Sequence, residues 1–171
     1  MPYPSSVKDI RSFLGHIGLY RRFIKNFSKI ASLLCTLLAK DVEFIFNDDC
    51  KHAFDQLKKC LIAPPIVQAP NYALPFELLC DASDKAVGAT LGQKQGRESH
   101  VICYASKTLD AAQCNYTVSE KELYTVIFAL EKFRSYLLGT KITVFSDHVA
   151  LKYLMRKKEA KPGLIRWILL L

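Results

Sequence analysis

The sequence predicts an α/β fold: a mixed sheet of three antiparallel strands and one parallel strand, preceded by a small segment of three helices. Residues 6–62 repeat apolar side chains three or four positions apart, which is typical of amphipathic helices. Residues 74–107 instead contain three short apolar runs separated by polar turns, which is typical of an antiparallel meander. A long helical pattern over 118–138 then leads into an apolar run at 141–147, and a strand reached through a helical crossover normally pairs in parallel.

The helical segment is expected to contain three helices over residues 6–62. The apolar pattern of the first helix extends from Ile10 to Ile24. The helical region should end before Pro64 and Pro65, since neither proline can donate a helical hydrogen bond. The N-cap candidates of the three helices are Ser5 or Ser6, Ser28, and Asp48 or Asp49.

The change of pattern predicts a domain boundary. We expect a helical segment over residues 1–63, a linker over 64–73 and a sheet domain over 74–171. The element order of the sheet domain is βββαβα, and its long helix is expected to end at Gly139, because glycine readily adopts the left-handed backbone found at helix C-termini. The predicted strands are 74–81, 86–93, 100–107 and 141–147, and helices at 149–156 and 164–171 are expected after them.

The chain is basic. Its 24 Lys and Arg residues outnumber its 16 Asp and Glu residues, which gives a formal net charge of +8 at pH 7. Because the excess is spread over both predicted parts of the chain, it fits a polyanionic partner such as nucleic acid better than a single basic tail would. A Lys-rich solvated surface is the alternative explanation, so net charge alone favours nucleic acid only slightly.

Cysteine usage and hydropathy bear on the compartment. The six Cys residues form no Cys-x-x-Cys pair, and the N-terminus has no secretory pattern, so reduced thiols in an intracellular compartment are expected. The C-terminal run Leu164–Leu171 is shorter than the ~20 apolar residues that a membrane span needs, so no membrane partner is expected.

Three carboxylates lie in apolar surroundings, where a buried negative charge is costly. Asp81 ends the first predicted strand, Asp147 ends the last one, and Glu122 lies near the start of the long helix. If the two strands are parallel neighbours, their ends bring the two aspartates together. Clustered carboxylates need a countercharge, and a hard divalent cation such as Mg²⁺ or Mn²⁺ is the usual one. Two such cations held ~4 Å apart are a common device for phosphodiester cleavage.

Each carboxylate also has a structural interpretation. Asp81 can be a turn residue, and Asp147 can be the N-cap of a following helix. Thr117 and Glu120 match a capping box, which gives Glu120 a structural role. At ~100° per residue, Glu122 then points to nearly the opposite side of the helix, toward the sheet. A surface ion pair is the alternative for Glu122.

Two basic stretches are candidates for contacts with nucleic-acid phosphates. The first follows the first helix and mixes cations with aromatic side chains, and the second is a dense basic turn beyond Asp147. The alternative for the first stretch is an amphipathic helix whose cations are only solvated. The candidate residues are Arg21, Arg22 and Lys25 in the first stretch, and Arg156, Lys157, Lys158 and Lys161 in the second.

These motifs together resemble the Pol polyprotein of gypsy-type LTR retrotransposons over nearly the whole chain. The segment Ser6–Ile24, with SVKDIRSFLG and YRRFI, resembles the start of the reverse transcriptase thumb and connection. Residues from Pro75 onward resemble the tethered RNase H domain. The motifs of that second part are CDASD at 80–84, SEKEL at 119–123, YLLG at 136–139 and SDHVALKYL at 146–154.

The resemblance implies an RNase H-like nuclease that cuts the RNA strand of RNA:DNA hybrids with Mg²⁺ or Mn²⁺. Asp81, Glu122 and Asp147 would be three of the four metal ligands of the family. The fourth would lie beyond Leu171, so we expect an RNase H-like sheet that stops before its fifth strand, and impaired hydrolysis. The implied partners are the hybrid and the polymerase fingers and palm of the same polyprotein, with no small-molecule cofactor.

Two rival interpretations accompany this one. The chain can be a catalytically inactive module from a degenerate element, which binds nucleic acid or a partner subunit through the same basic surface. It can also be a product that does not fold stably, because the strand at 141–147 would have an unpaired edge. The compartment expected from the resemblance is cytoplasmic, in particles, or nuclear, and not secreted.

Overall fold

The computed structural model describes residues 2–62 and 68–147 of the chain. The helices are α1 Val7–Gly18, α2 Phe27–Thr36, α3 Asp48–Ile62, α4 Ala111–Cys114, α5 Val118–Lys132 and α6 Arg134–Leu137, and a 3₁₀ turn spans Arg21–Phe23. The strands are β1 Phe76–Ala82, β2 Ala86–Gln95, β3 Glu98–Thr108 and β4 Ile142–Phe145.

The strands form one mixed sheet in the order β3-β2-β1-β4. The pairs β1–β2 and β2–β3 are antiparallel, and β1–β4 is parallel. Helix α5 makes the crossover from β3 to β4 and packs on β1 and β2. The predicted α/β class with three antiparallel strands and one parallel strand is therefore confirmed. The helices predicted at 149–156 and 164–171, and the boundary at Pro64 and Pro65, lie outside the described residues.

The turn between β2 and β3 is tighter than the sequence predicted. The polar break was expected to end the strands at residues 93 and 100, yet Gln95 and Glu98 pair directly across the hairpin. Only two residues form the turn, and one of them is Gly96 with φ of 65°. Two-residue hairpin turns favour positive φ, which glycine adopts without strain, so the strands can pair up to the turn.

The ends of the helices differ from the predicted ones in three places. Helix α1 has the predicted Ser6 cap but ends at Gly18. Ile24 is buried, but it lies in the extended chain after the helix. Helix α2 begins after Asn26, whose backbone is left-handed, and Ser28 is not its cap. In α3 the side chain of Asn47 accepts the hydrogen bond from Cys50 N, so Asn47 takes the capping role predicted for Asp48 or Asp49.

The long helix is also shorter than predicted. Helix α5 ends at Lys132, a separate turn α6 follows, and Gly139 with φ of 76° then directs the chain into β4. Within the described ranges, no helix is long and apolar enough to cross a membrane. All six cysteines are free thiols.

Two large hydrophobic clusters hold the fold together. The helical cluster joins α1, α2 and α3 around the fully buried Phe54 and Leu34. The sheet cluster packs the inner face of β1, β2 and β3 against α5, around Phe76 and Leu123. The two parts meet where α2 and the 3₁₀ turn contact β3. The limits 1–63, 64–73 and 74–171 stay a prediction.

Candidate active site

The capping box of α5 sets the direction in which Glu122 points. Thr117 Oγ1 accepts from Glu120 N at 3.3 Å, and Glu120 Oε2 accepts from Thr117 N at 2.8 Å. The predicted structural role of Glu120 is thus confirmed. Two residues later, Glu122 faces the sheet and is 3% exposed.

The carboxylate of Glu122 connects the ends of the two central strands. Its Oε1 accepts from the backbone N–H of Ala82, the last residue of β1, at 3.2 Å. Its Oε2 accepts from the hydroxyl of Ser146, the residue after β4, at 3.2 Å. Within residues 2–62 and 68–147 it pairs with no Lys or Arg. Since Glu122 is buried, the alternative of a surface ion pair is wrong.

The charges of Asp147 and Asp81 act on the carboxylate of Glu122. Burial raises the pKa of Glu122 above its usual value, and the hydrogen bonds from Ser146 and Ala82 oppose that rise. The negative charges of Asp147 and Asp81 raise this pKa further. A positive charge placed among these groups would relieve both the repulsion and the burial cost.

The sheet register brings the chain near Asp81 and Asp147 together. In the parallel pair β1–β4, Leu79 lies opposite Phe145, and each aspartate follows two residues later. Side chains alternate between the faces of a strand, so Asp81 is on the face that carries Leu79. Asp147 lies beyond the end of β4, and it lines the same cavity as Leu79, Phe145 and Asp81. Both are exposed.

The structure tests the turn interpretation of Asp81 but not the N-cap interpretation of Asp147. Asp81 is not a turn residue, because β1 extends to Ala82 and the turn is closed by the hydrogen bond from Ser83 N to Ala86 O at 2.8 Å. The helix that Asp147 could cap lies outside the described residues. The N-cap interpretation of Asp147 therefore stays a prediction.

Asp81 and Asp147 line an open groove of about 340 Å³, which we call the carboxylate groove. Ser146 lines it too, and its hydrogen bond links the groove to Glu122. The groove is bounded on its other side by residues of the helical segment and of β3, namely Lys25, Asn26, Tyr104 and Ala105.

The donor set fits a hard divalent cation in its chemistry. It consists of carboxylate oxygens, which Mg²⁺ and Mn²⁺ prefer. The neighbouring Cys80 is a buried thiol, and burial and the charge of Glu122 raise its pKa to about 12. In the part of the chain that the structure describes, no group of three His, Cys, Asp or Glu side chains lies close enough to hold a metal ion. The carboxylates thus share one location without forming a closed coordination shell, and their role as ligands stays a prediction.

The predicted nucleic-acid contacts divide between two places. Lys25 lines the carboxylate groove. Arg21 and Arg22 line a separate groove of about 310 Å³, called here the arginine groove, together with Lys132 and Tyr136. The candidates Arg156, Lys157, Lys158 and Lys161 lie outside the described residues.

Sequence reasoning missed Tyr104. This partly buried residue of β3 lines both the carboxylate groove and the arginine groove. Its pairing with Thr90 of β2 places it there, and so does the packing of the helical segment on β3. A strand pattern alone shows neither, so no local signal distinguished Tyr104 from other strand aromatics.

The chain has relatives among known proteins. Residues 71–171 match the family of the RNase H-like domain found in reverse transcriptase, and the chain belongs to this family. It is 39% identical over 167 residues to the retrovirus-related Pol polyprotein from transposon 297 of Drosophila melanogaster, covering 97% of the chain and 15% of that protein.

Two further relatives confirm the predicted resemblance to retrotransposon Pol polyproteins. The chain is 32% identical to the Pol polyprotein from transposon gypsy of Drosophila melanogaster, over 97% of the chain and 17% of that protein. It is 35% identical to the transposon Tf2-3 polyprotein of Schizosaccharomyces pombe, over 85% of the chain and 11% of that protein. The chain thus spans less than a fifth of each of these relatives.

Solved structures share the fold. A foamy viral protease-reverse transcriptase (dRH) in complex with double-stranded DNA superposes with a TM-score of 0.82 at 23% identity, over 99% of this chain and 31% of that one. The foamy viral enzyme in complex with an RNA/DNA hybrid gives a TM-score of 0.78 at 23% identity, over 98% of this chain and 24% of that one. The likeness covers the helical segment as well as the sheet.

Proposed function

We propose that this RNase H-like domain hydrolyses the RNA strand of RNA:DNA hybrids, as part of a retrotransposon reverse transcriptase. The observation that carries the proposal is Glu122, a buried carboxylate whose pKa is raised by burial and by the charges of Asp147 and Asp81. Burying such a group without a cationic partner is costly. A site that tolerates this cost next to a groove, to which Ser146 links it, is typical of a functional centre.

The proposed ligands are Asp81, Glu122 and Asp147, and the proposed cofactor is Mg²⁺ or Mn²⁺. Bound divalent cations would lower the pKa of the attacking water and stabilise the leaving oxygen. Asp81 and Asp147 are exposed and accessible to a cation, while the hydrogen bonds from Ala82 and Ser146 fix Glu122.

The proposed substrate follows from charge and from the relatives. The net charge of +8 suits a polyanion, and a structural neighbour is a reverse transcriptase in complex with an RNA/DNA hybrid. A hybrid is read through its shape and its 2′-hydroxyls, so little sequence preference is expected. The proposed partner within the polyprotein is the polymerase fingers and palm, and the proposed setting is intracellular, in cytoplasmic particles or the nucleus.

A cleavage assay with a matched control tests the proposal. The 171-residue chain is incubated with an end-labelled RNA:DNA hybrid and Mg²⁺ or Mn²⁺, and is compared with Asp81→Asn and Asp84→Asn. Asp84 is an exposed aspartate three residues away that does not line the carboxylate groove. We expect Asp81→Asn to lower the rate at least about 100-fold, beyond the usual effect of outer-shell partners, and Asp84→Asn to leave it unchanged.

Metal binding gives a second, independent readout. Mn²⁺ titrated into the wild-type chain and followed by electron paramagnetic resonance should show binding that Asp81→Asn weakens. Equal Mn²⁺ binding and equal cleavage by wild type and Asp81→Asn would contradict the proposal.

A second candidate function is a module that binds hybrid without cutting it. It is favoured by one observation: within residues 2–62 and 68–147, no three potential ligands lie close enough to hold a metal. Hybrid binding by the wild type, without Mn²⁺ binding and without cleavage, would select this candidate.

A further inference from the structure

The carboxylate groove has walls from two different parts of the chain. Asp81 and Asp147 come from the central strands of the sheet, whereas Lys25 and Asn26 come from the connection between α1 and α2. The helical segment is therefore in position to contribute side chains to the proposed nuclease site.

A hydrogen-bonded clasp fixes this position. Ser28 N donates to Ser106 Oγ at 2.9 Å, and Ser28 Oγ donates to the carbonyl oxygen of Ser106 at 2.8 Å. The two hydroxyls also lie 3.1 Å apart. The clasp joins the first turn of α2 to β3, three residues from Lys25. The left-handed backbone of Asn26, with φ of 57°, makes the sharp bend between Lys25 and the clasp.

Lys25 is an exposed cation that lines the same groove as two exposed carboxylates, yet it does not pair with them. Within residues 2–62 and 68–147 it forms no ion pair. Its charge is thus available to a ligand that enters the groove. A cation on the other side of the groove would favour a phosphodiester over Asp81 and Asp147, because phosphate and carboxylate repel each other.

Tyr104 lies where three grooves meet. It lines the carboxylate groove, the arginine groove and a larger groove of about 820 Å³ between α2 and α3 that also contains Lys25 and Lys29. An aromatic ring flanked by cations is the arrangement that holds a nucleic-acid strand by its phosphates and by a sugar or base face.

We propose that the helical segment is part of the nuclease site: Lys25 binds a phosphate of the strand that lies over Asp81 and Asp147, and Tyr104 packs against the adjoining sugar or base. This inference rests on the proposed function, since it assigns the same groove. It makes the Ser28–Ser106 clasp a positioning device, because separating α2 from β3 would withdraw Lys25 from the carboxylates.

Binding without metal tests the inference separately from cleavage. Affinity for a fluorescent RNA:DNA hybrid is measured by anisotropy in EDTA, between about 50 and 200 mM salt, for Lys25→Ala, Lys25→Arg and the control Lys8→Ala. Lys8 is an exposed lysine of α1. We expect Lys25→Ala to weaken binding about tenfold and to reduce the salt slope by about 0.9, the value for one phosphate contact. Lys25→Arg should restore most of the affinity.

The ring of Tyr104 is tested by a pair of variants. Tyr104→Phe keeps the ring and should bind as the wild type does, whereas Tyr104→Leu should weaken binding about three- to tenfold. Equal affinity and equal salt slope for Lys25→Ala and Lys8→Ala would overturn the inference, even if the wild type cleaves hybrid. A wild type that binds hybrid through Lys25 but does not cleave it would contradict the proposed function and still support the phosphate contact of Lys25.

Discussion

The cores of the helical segment and the sheet domain differ in what they bury. The buried residues of the helical cluster are all apolar. Over residues 74–147, the sheet domain buries four polar or charged side chains, which are Gln93, Lys121, Glu122 and Thr125. Apolar burial is sufficient to hold a structure together, whereas a buried charge lowers stability unless it is compensated. The sheet domain thus gives up stability at Glu122, which contacts the strand ends where its proposed chemistry takes place.

The largest expected effect is on the purely apolar core. Phe54 is fully buried, and its ring centroid lies 4.4 Å from that of Phe13. Phe54→Ala should lower the free energy of unfolding by about 3–5 kcal/mol, because it leaves a large cavity. Urea denaturation followed by circular dichroism measures this loss. The control Ile62→Ala, at a 78% exposed residue of the same helix, should change stability by less than about 0.5 kcal/mol.

At Glu122 we expect a substitution to raise the free energy of unfolding. Glu122→Gln removes a buried charge, while the amide oxygen still accepts from Ala82 N and the amide nitrogen can donate to the Ser146 hydroxyl. We expect a gain of about 0.5–2 kcal/mol at neutral pH without metal, and a loss of hybrid cleavage, as is common when functional charges are removed. Glu131→Gln, at an exposed residue of the same helix, should change neither. A destabilised Glu122→Gln variant would contradict the view that burying this carboxylate lowers the stability of the domain.

The stability difference between wild type and Glu122→Gln should depend on pH. The pKa of Glu122 is raised above its usual 4.5 in the folded state, so the folded protein binds the proton more tightly than the unfolded chain. The contribution of Glu122 to stability is therefore complete below pH 4.5 and is lost as pH rises through the raised folded-state pKa. The advantage of Glu122→Gln should shrink as pH falls toward 4.5, in denaturation series without metal. An advantage that grows on acidification would contradict the assigned direction.

A smaller effect is expected at the junction of the two parts. Ser106→Ala removes the acceptor for Ser28 N but keeps the carbonyl oxygen that accepts from the Ser28 hydroxyl. The loss should be about 1 kcal/mol, the usual net value of a hydrogen bond, together with weaker hybrid binding. Ser99→Ala, at an exposed position of the same strand, is the control. Unchanged stability and unchanged binding would show that the clasp positions nothing.

The sequence predicted the fold because the signals for it are local. Alternation and helical spacing marked the elements, and the capping box at Thr117 and Glu120 predicted which way Glu122 faces. The ends of α1 and α2 were predicted wrongly, because the apolar pattern continues to Ile24 while Ser28 bonds to Ser106, a residue 78 positions away.

The sequence predicted only one side of the carboxylate groove, because the other side depends on contacts between residues far apart in the chain. Asp81 and Asp147 end apolar runs, so the sequence indicates them directly. The approach of Lys25 and Tyr104 to that groove depends on how the helical segment docks on β3, and no spacing in the chain encodes this docking. Tertiary packing therefore decides which cations and aromatics face the carboxylates.

The smallest effect is expected at Asp84. It tests whether the buried ammonium of Lys121 is stabilised by the carbonyl oxygen of Asp84 or by its carboxylate. Lys121 is 8% exposed, and its ammonium donates to the carbonyl oxygen of Asp84 at 3.1 Å, while the carboxylate Oδ1 is 3.9 Å away. The Asp84 side chain is fully exposed, so solvent screens its charge.

Asp84→Asn should therefore leave the urea midpoint unchanged within error, because the carbonyl acceptor of Lys121 remains. A clear loss of stability would show that Lys121 depends on a charged partner. The sheet domain would then contain a stabilising ion pair close to Glu122. Its buried charges would compensate one another, and they would not lower its stability relative to the apolar helical core.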